Sequence, residues 1–476
     1  PGKSFAIVEG RERLGGTWDL FRYPGIRSDS DMYTLGYNFK PWTARRAIAD
    51  APSILTYLNE TVAEYDLDDK IRFNRKVVDA SWSSETALWT VSLQHGDGSL
   101  STVQCNFLHM CSGYYNYEEG HNPDFPGKSD FAGPIVHPQF WPEDLDYAGK
   151  KVVVIGSGAT AVTLIPSMAD TAAQVTMLQR SPTYIVSLPG EDKWALRFRK
   201  ILPSKAAYML TRWKNVLWGL FTFNLARKKP AGFKERLLNM VREEMGPDVD
   251  MANFTPSYNP WDQRVCLVPD SDLFKAIKSG KASIVTDHVE TFTKDGIKLK
   301  SGKMLEADVV VTATGLKMLT GGSAAISVDG QPVNFGEKIN YKGVMFSGIP
   351  NFGMTMGYTN ASWTLKADLT SEYVCRLINF MDKNGTPIAT PTLPAGEAME
   401  TEPMLDFSSG YVQRAIKDLP KQGDRKPWRL NQNFPKDIIN LRHKAVDDGV
   451  MVFSRPTAAA VSSAGNQAEA EVIAAE

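Results

Sequence analysis

The chain has 476 residues, 43% of them apolar, and sets 53 Lys plus Arg against 54 Asp plus Glu for a formal net charge of −1. That balance lacks the basic excess of a nucleic-acid binder, and at roughly 150 residues per domain the length corresponds to about three domain-sized units. The four cysteines form no C-x-x-C and no apolar stretch approaches the roughly 20 residues of a membrane span, so a disulfide framework and a transmembrane helix are not expected and a reducing cytoplasm is.

Residues 4–9 (Ser-Phe-Ala-Ile-Val-Glu) read as a buried parallel strand that ends in the Glu9 carboxylate. A loop rich in Gly, Trp, Tyr and Pro follows over 14–31, then a helix over 51–65. Residues 71–80 and 87–94 read as strands, with His95-Gly96-Asp97-Gly98 as a turn, and 107–113 as a strand ending in small residues. A complete βαβ unit comes next: strand 151–155, turn 156–161, helix 161–169, strand 174–180. Residues 193–242 read as several helices with basic clusters at 197–200 and 227–229. A solvated face is the plain reading of those clusters, while 213–223 leaves a peripheral, amphipathic membrane contact open. Residues 308–315 form a further apolar strand and 367–382 a helix. The Ala-, Ser-, Gln- and Glu-rich end, 456–476, reads as a disordered tail.

Gly156-Ser157-Gly158-Ala159-Thr160-Ala161 is a G-x-G-x-x-A turn placed between a strand and a helix. Gly156 permits the tight turn, Gly158 lets backbone approach a pyrophosphate, and Ala161 lets helix and strand pack closely. The helix N-terminus supplies N–H donors to the phosphates. The next strand ends in Arg180-Ser181 where an acidic residue would select NAD. A guanidinium there accommodates a 2′-phosphate, so NADP is expected. Glu9 stands where a dinucleotide fold places the carboxylate for an adenosine ribose. The strand and glycine turn that would precede it do not occur in this sequence, which therefore reads as opening inside a βαβ unit. The six histidines are scattered without H-x-x-x-H, so no metal site is expected, and no G-x-S-x-G elbow occurs.

Phe131-x-Gly133-x-x-x-His137-x-x-x-Trp141-Pro142 resembles the fingerprint of type I Baeyer–Villiger flavin monooxygenases. Gly15-Gly16-Thr17-Trp18, followed by Tyr23-Pro24-Gly25 and Asp29, resembles that family's second fingerprint, and Ala313-Thr314-Gly315 its strand end near the flavin. The stretches 23–33 and 259–264 are similar to a mycobacterial branch of the family. The resemblance runs from residue 1 to about 455. It implies an α/β protein with two Rossmann-like dinucleotide-binding domains and a helical insert. Residues 1–145 would begin the FAD-binding domain, 146–300 form the NADP-binding domain with its insert at about 190–255, and 301–455 return to the FAD domain.

The resemblance further implies FAD, NADPH and O2. NADPH reduces the flavin, a C4a-peroxide forms, and its anion attacks a ketone to give an ester or lactone; sulfides are a second expected substrate. Arg264 corresponds to the active-site arginine and Asp29 to its carboxylate partner. A guanidinium suits the task because it stays charged and does not give up its proton. Thr17, Trp18, Asp19, Leu20 and Asp29 would line the flavin, Val77 would lie near the adenine, and Arg27 and Ser28 would approach the nicotinamide. His137 and Trp141 lie on the connector, where a hinge role fits better than proton transfer. Trp363 either borders the substrate pocket or packs in a core. Several family members carry a lysine just before the active-site arginine; Gln263 stands there here, which leaves the 2′-phosphate more to Arg180. Two rival readings are a flavin-containing N- or S-oxygenase and an inactive nucleotide-binding remnant.

Overall fold

The computed structural model describes residues 2–456, with 395, 397 and 406 excepted, so all but the first residue of the expected tail lies outside the described residues. The β-branched run Lys151–Ile155 forms the centre of a five-stranded parallel sheet. Its neighbours are Gln174–Gln179 and then Ala282–Thr286 on one side, Val309–Thr312 and then Ile135–Val136 on the other. Strands covered on both faces need continuous apolar runs, and Val152, Val153 and Val154 are each at most 1% exposed. The helix Ala159–Met168 packs Ala161, Leu164, Ile165 and Met168 onto this sheet, all with no exposure. It starts two residues earlier than its sequence pattern indicates, because Gly158, not a polar side chain, makes the N-cap.

A second five-stranded sheet is mostly antiparallel: Gln331–Pro332, Ala325–Val328, Arg75–Ser83, Leu88–His95 and Leu100–Cys105, in that order. Residues 4–9 correct one expectation. Only Ile7–Val8 is strand, paired on one edge with Ile71–Arg72, and Phe5 and Ile7 are 56% and 41% exposed. A strand with a neighbour on one edge alone, among the described residues, cannot be buried on all sides. The 14–31 loop also contains a single helical turn, Thr17–Leu20, and the strand expected over 107–113 narrows to Leu108–Met110.

The insert comprises the helices Lys193–Ile201, Ser204–Lys228 and Pro230–Met245. No described helix is long and apolar enough to cross a membrane. The last large helix, Trp363–Asn384, organises a separate core with Tyr341, Leu369, Tyr373 and Trp428.

Two connections join the parallel sheet to the rest. Tyr115–Gly120 and Leu316–Met318 run antiparallel beside each other. His137 sits where they meet: its Nε2 lies 3.2 Å from the Gly315 carbonyl, and its Nδ1 accepts from the Gln139 N–H at 3.2 Å. That pattern fixes the neutral tautomer with the proton on Nε2. Gly120 has no side chain because a Cβ there would collide with the imidazole. Trp141 leans the other way, onto the core of the parallel sheet, edge-on to Tyr147 at 6.4 Å.

Gly156 has a φ of +141° and its missing Cβ would strike the Ala313 carbonyl oxygen. Gly156→Ala should therefore lower stability by about 1–3 kcal/mol, read as a shifted urea midpoint; an unchanged midpoint would contradict this packing. Burial pushes the His137 pKa below its ordinary value, with the Gly315 carbonyl pulling the other way. The unfolded chain then takes up the proton first, so His137 costs stability as pH falls below about 6.5 until the folded imidazole also titrates. His109, pushed down to about 4 by burial, acts in the same direction. His137→Asn should flatten the fall in stability between about pH 7 and pH 5.5 without abolishing it. Equal slopes in the two proteins would mean that the imidazole is not held neutral.

Candidate active site

Arg264 lies on the loop between the helix Pro230–Met245 and the strand Cys266–Pro269. The loop is closed by Asp262, which accepts from the Asn259 N–H at 3.1 Å and from Arg227 Nη1 at 2.9 Å. Trp261, at a φ of +71°, stacks edge-on against Phe223 at 5.5 Å. Arg264 Nη1 meets Asp29 Oδ2 at 3.2 Å, with the two side chains 37% and 44% exposed. The structure thus joins two residues 235 positions apart that the sequence pairs only by resemblance.

Asp29 is held by its neighbours. Ser28 is 3% exposed, donates its hydroxyl to the Ser30 carbonyl at 2.7 Å and its N–H to the Ala49 carbonyl at 2.9 Å. Asp31 caps the helix Met32–Leu35 through the Thr34 N–H at 3.1 Å and accepts from Asn215 at 2.8 Å. Burial opposes the charge on Arg264, but Asp29 and then Tyr114, Tyr411 and Tyr115 outweigh it and hold the guanidinium pKa above its ordinary value.

Sequence reasoning missed these tyrosines. The Tyr114 and Tyr115 hydroxyls bond at 2.8 Å, and Tyr114 lies 4.6 Å from the Trp363 ring. Trp363 thus packs on a neighbour of Arg264. Burial raises the pKa of both tyrosines, with Arg264 pulling down. Their position just after the small residues Ser112-Gly113 was the only available signal; Tyr411 had none.

At the glycine turn, Gly158 has open space where a Cβ would point. Ser157 donates to the Ser181 carbonyl at 3.0 Å, and Ala159 and Thr160 begin the helix. Tyr23 bonds toward Thr160, and burial lifts its pKa to about 12. A Cβ on Gly25 would run into Ser167, so the Tyr23-Pro24-Gly25 loop lies directly on the glycine-turn helix. Arg27 pairs with Asp272 and keeps a buried Nη2 without a partner. Arg180 is exposed at the strand end and has no carboxylate partner among the described residues. Arg414, also exposed and unpaired, comes close enough that Arg180 helps burial depress its pKa, and a Cβ on Gly315 would lie 3.7 Å from its Nη2.

The Tyr117 hydroxyl would lie 3.2 Å from a Cβ on Gly16, the residue before the helical turn Thr17–Leu20. Burial, then Glu9, raises the Tyr117 pKa to about 12. Glu9 accepts from the Arg11 N–H at 2.9 Å. Asp19 is 4% exposed and takes Arg11 at 2.5 Å and Arg22 at 3.0 Å, so its carboxylate braces the turn. Trp18 and Asp19 border a cavity of about 600 Å³. Thr17 and Leu20 bound the same helical turn. Val77 packs on the core under the antiparallel sheet.

The profile of the flavin-binding monooxygenase-like family matches residues 47–319. The FAD-containing monooxygenase EthA of Mycobacterium tuberculosis is 54% identical over 457 residues, 96% of this chain and 93% of that one. The probable FAD-binding monooxygenase AlmA of Acinetobacter baylyi is 49% identical over 458 residues, 96% of this chain and 92% of that one. Among solved structures, OTEMO in complex with FAD and NADP aligns with a TM-score of 0.66 at 24% identity, over 82% of both chains. Oxidized steroid monooxygenase bound to NADP aligns with a TM-score of 0.68 at 24% identity, over 82% of this chain and 83% of that one. These two share the fold of paired Rossmann-like units. Identity of this extent over nearly the whole length leaves one conclusion: the chain belongs to the flavin-binding monooxygenase family and is a flavin-dependent monooxygenase.

Proposed function

We propose that this protein binds FAD and NADPH and inserts one oxygen atom of O2 into ketones, giving esters or lactones, with sulfides oxidised at the same site. The observation that carries the reading is the Arg264–Asp29 pair, with Tyr114 beside it and Trp363 packed on Tyr114. When bound, the flavin passes electrons from NADPH to O2 and supplies the activated oxygen. The residues present suit both nucleotides. Open space at Gly158 and the unpaired Arg180 and Arg414 suit NADPH with its 2′-phosphate, Arg414 taking the part that Gln263 does not. Glu9, Thr17, Trp18, Leu20, Asp29 and Val77, all within the segment 1–145, suit FAD.

Arg264 is the electrostatic centre. Its charge is fixed at all working pH values, so it favours negative charge on activated oxygen and on the oxyanion that follows attack on a carbonyl. Asp29 holds the guanidinium in place, and the nearby Tyr114, Tyr115 and Tyr411 hydroxyls reinforce its charge. An N- or S-oxygenase that transfers electrophilic oxygen needs no such cation. His137 has both ring nitrogens engaged by backbone, which supports a hinge between the two connections rather than a proton carrier. Trp141 would couple that hinge to the nucleotide-binding sheet.

Arg264→Ala should lower ester formation from a simple ketone by about 10²–10³-fold or more while NADPH still reduces bound flavin. Gas chromatography of products beside stopped-flow flavin absorbance tests it; unchanged ester yield would remove the reading. Arg180→Ala should weaken NADP+ binding by roughly 10–100-fold and leave NAD+ binding nearly unchanged, measured by titration calorimetry, since a charged hydrogen bond to phosphate is lost. Equal weakening for both nucleotides would take the 2′-phosphate away from Arg180.

A further inference from the structure

The segment 193–229 contains ten Lys and Arg and no Asp or Glu, in a chain whose overall charge is −1. Four of these cations have internal duties. Arg212 pairs with Asp368, Lys214 with Asp192 and Arg227 with Asp262, while Arg199 donates to the Thr43 and Ala44 carbonyls. The other six, Lys193, Arg197, Lys200, Lys205, Lys228 and Lys229, are exposed and have no carboxylate partner among the described residues.

The helix Ser204–Lys228 is also partly inverted. Its buried side includes Thr211 at 0% and Arg212 at 3% exposure, whereas Leu210, Leu217, Trp218 and Phe221 are 46%, 55%, 60% and 57% exposed. At about 100° per residue those four fall in one arc of roughly 100°. Trp194 and Ile201 of the preceding helix add 54% and 76% exposed surface. A solvated helix would carry polar groups on such a face, and a nucleic-acid surface would not carry large aliphatic and aromatic ones.

We infer that the outer face of the helices Lys193–Ile201 and Ser204–Lys228 docks on an anionic lipid bilayer, lying in the interface plane. The apolar stripe enters the acyl boundary and the unpaired lysines meet the headgroup phosphates. Trp218, 5.8 Å from Phe221, is suited to the headgroup level. The helix's buried side holds the active-site loops, through Phe223 on Trp261, Arg227 on Asp262 and Asn215 on Asp31. Docking would therefore set the Arg264 loop about one helix diameter, roughly 10 Å, from lipid, where apolar substrates partition. The docking itself does not depend on the oxygenation chemistry.

The test is co-sedimentation of the full chain with phosphatidylcholine vesicles, with and without phosphatidylglycerol, together with its tryptophan emission. Binding should require phosphatidylglycerol, weaken with added salt and shift the emission to the blue. Trp218→Ser combined with Phe221→Ser should weaken it by roughly tenfold or more. Lys228→Ala combined with Lys229→Ala should weaken it by roughly fivefold per charge. All four positions are exposed, so thermal midpoints should stay unchanged. Three results would each overturn the inference: no binding to the mixed vesicles, unaltered binding by the serine variant, or self-association, lost in that variant, with no lipid binding.

Discussion

A cation and a carboxylate carried on two separate loops meet only if other parts of the fold hold both loops in place. Arg264 is held by Asp29, but neither residue belongs to a rigid element of its own. Both loops hang on the helix Ser204–Lys228, the first through Phe223 and Arg227, the second through Asn215 and Arg212. Arg212 is the deepest of these anchors. It donates to the carbonyls of Tyr33, Thr34 and Gly36 at 2.9, 3.3 and 2.7 Å and to Asp368 at 2.9 Å. A buried guanidinium with this many acceptors adds little net stability over an apolar core, but it selects one arrangement of the loops that surround it. The helical insert thus braces the two loops that carry the Arg264–Asp29 pair.

The second constraint is how two nucleotide units share one site. The turn at Gly156 presses against Ala313, and Gly315, two residues on, lies beside His137 and Arg414. The glycine turn, the connection and the fingerprint histidine form one contiguous patch. The Tyr23-Pro24-Gly25 loop that leads to Asp29 rests on the helix that begins at this same turn. The glycine-turn helix is thus joined through this loop to the carboxylate that pairs with Arg264.

Which parts were legible in the sequence follows from distance along the chain. The βαβ unit was legible because its signals are local: a β-branched run, small residues at fixed spacing, then helical periodicity. The fingerprint around His137 and the pairing of Arg264 with Asp29 were legible only through resemblance, since no local rule links positions 29 and 264. Tyr411, Arg414 and Arg212 left no trace, because each matters through partners more than a hundred residues away. Residues 4–9 misled for a different reason. An apolar run reports the capacity to be buried, whereas burial needs neighbours on both edges, and among the described residues Ile7–Val8 has one.

Whole-chain composition misleads in the same manner. A net charge of −1 lacks the basic excess of a nucleic-acid binder, yet it averages over a stretch of ten cations and no anions. The sequence reading met that stretch as two small basic clusters, each ordinary for a solvated helix. Only the fold shows that the inner cations are consumed by Asp192, Asp262, Asp368 and backbone carbonyls while the outer ones have no such partner. The division has a physical cause. A helix that spends its polar groups inward to brace the two loops of Arg264 and Asp29 has mainly apolar and basic side chains left for its outer face. The bracing of the Arg264–Asp29 pair and the character of the exposed face are thus two consequences of one amino-acid pattern.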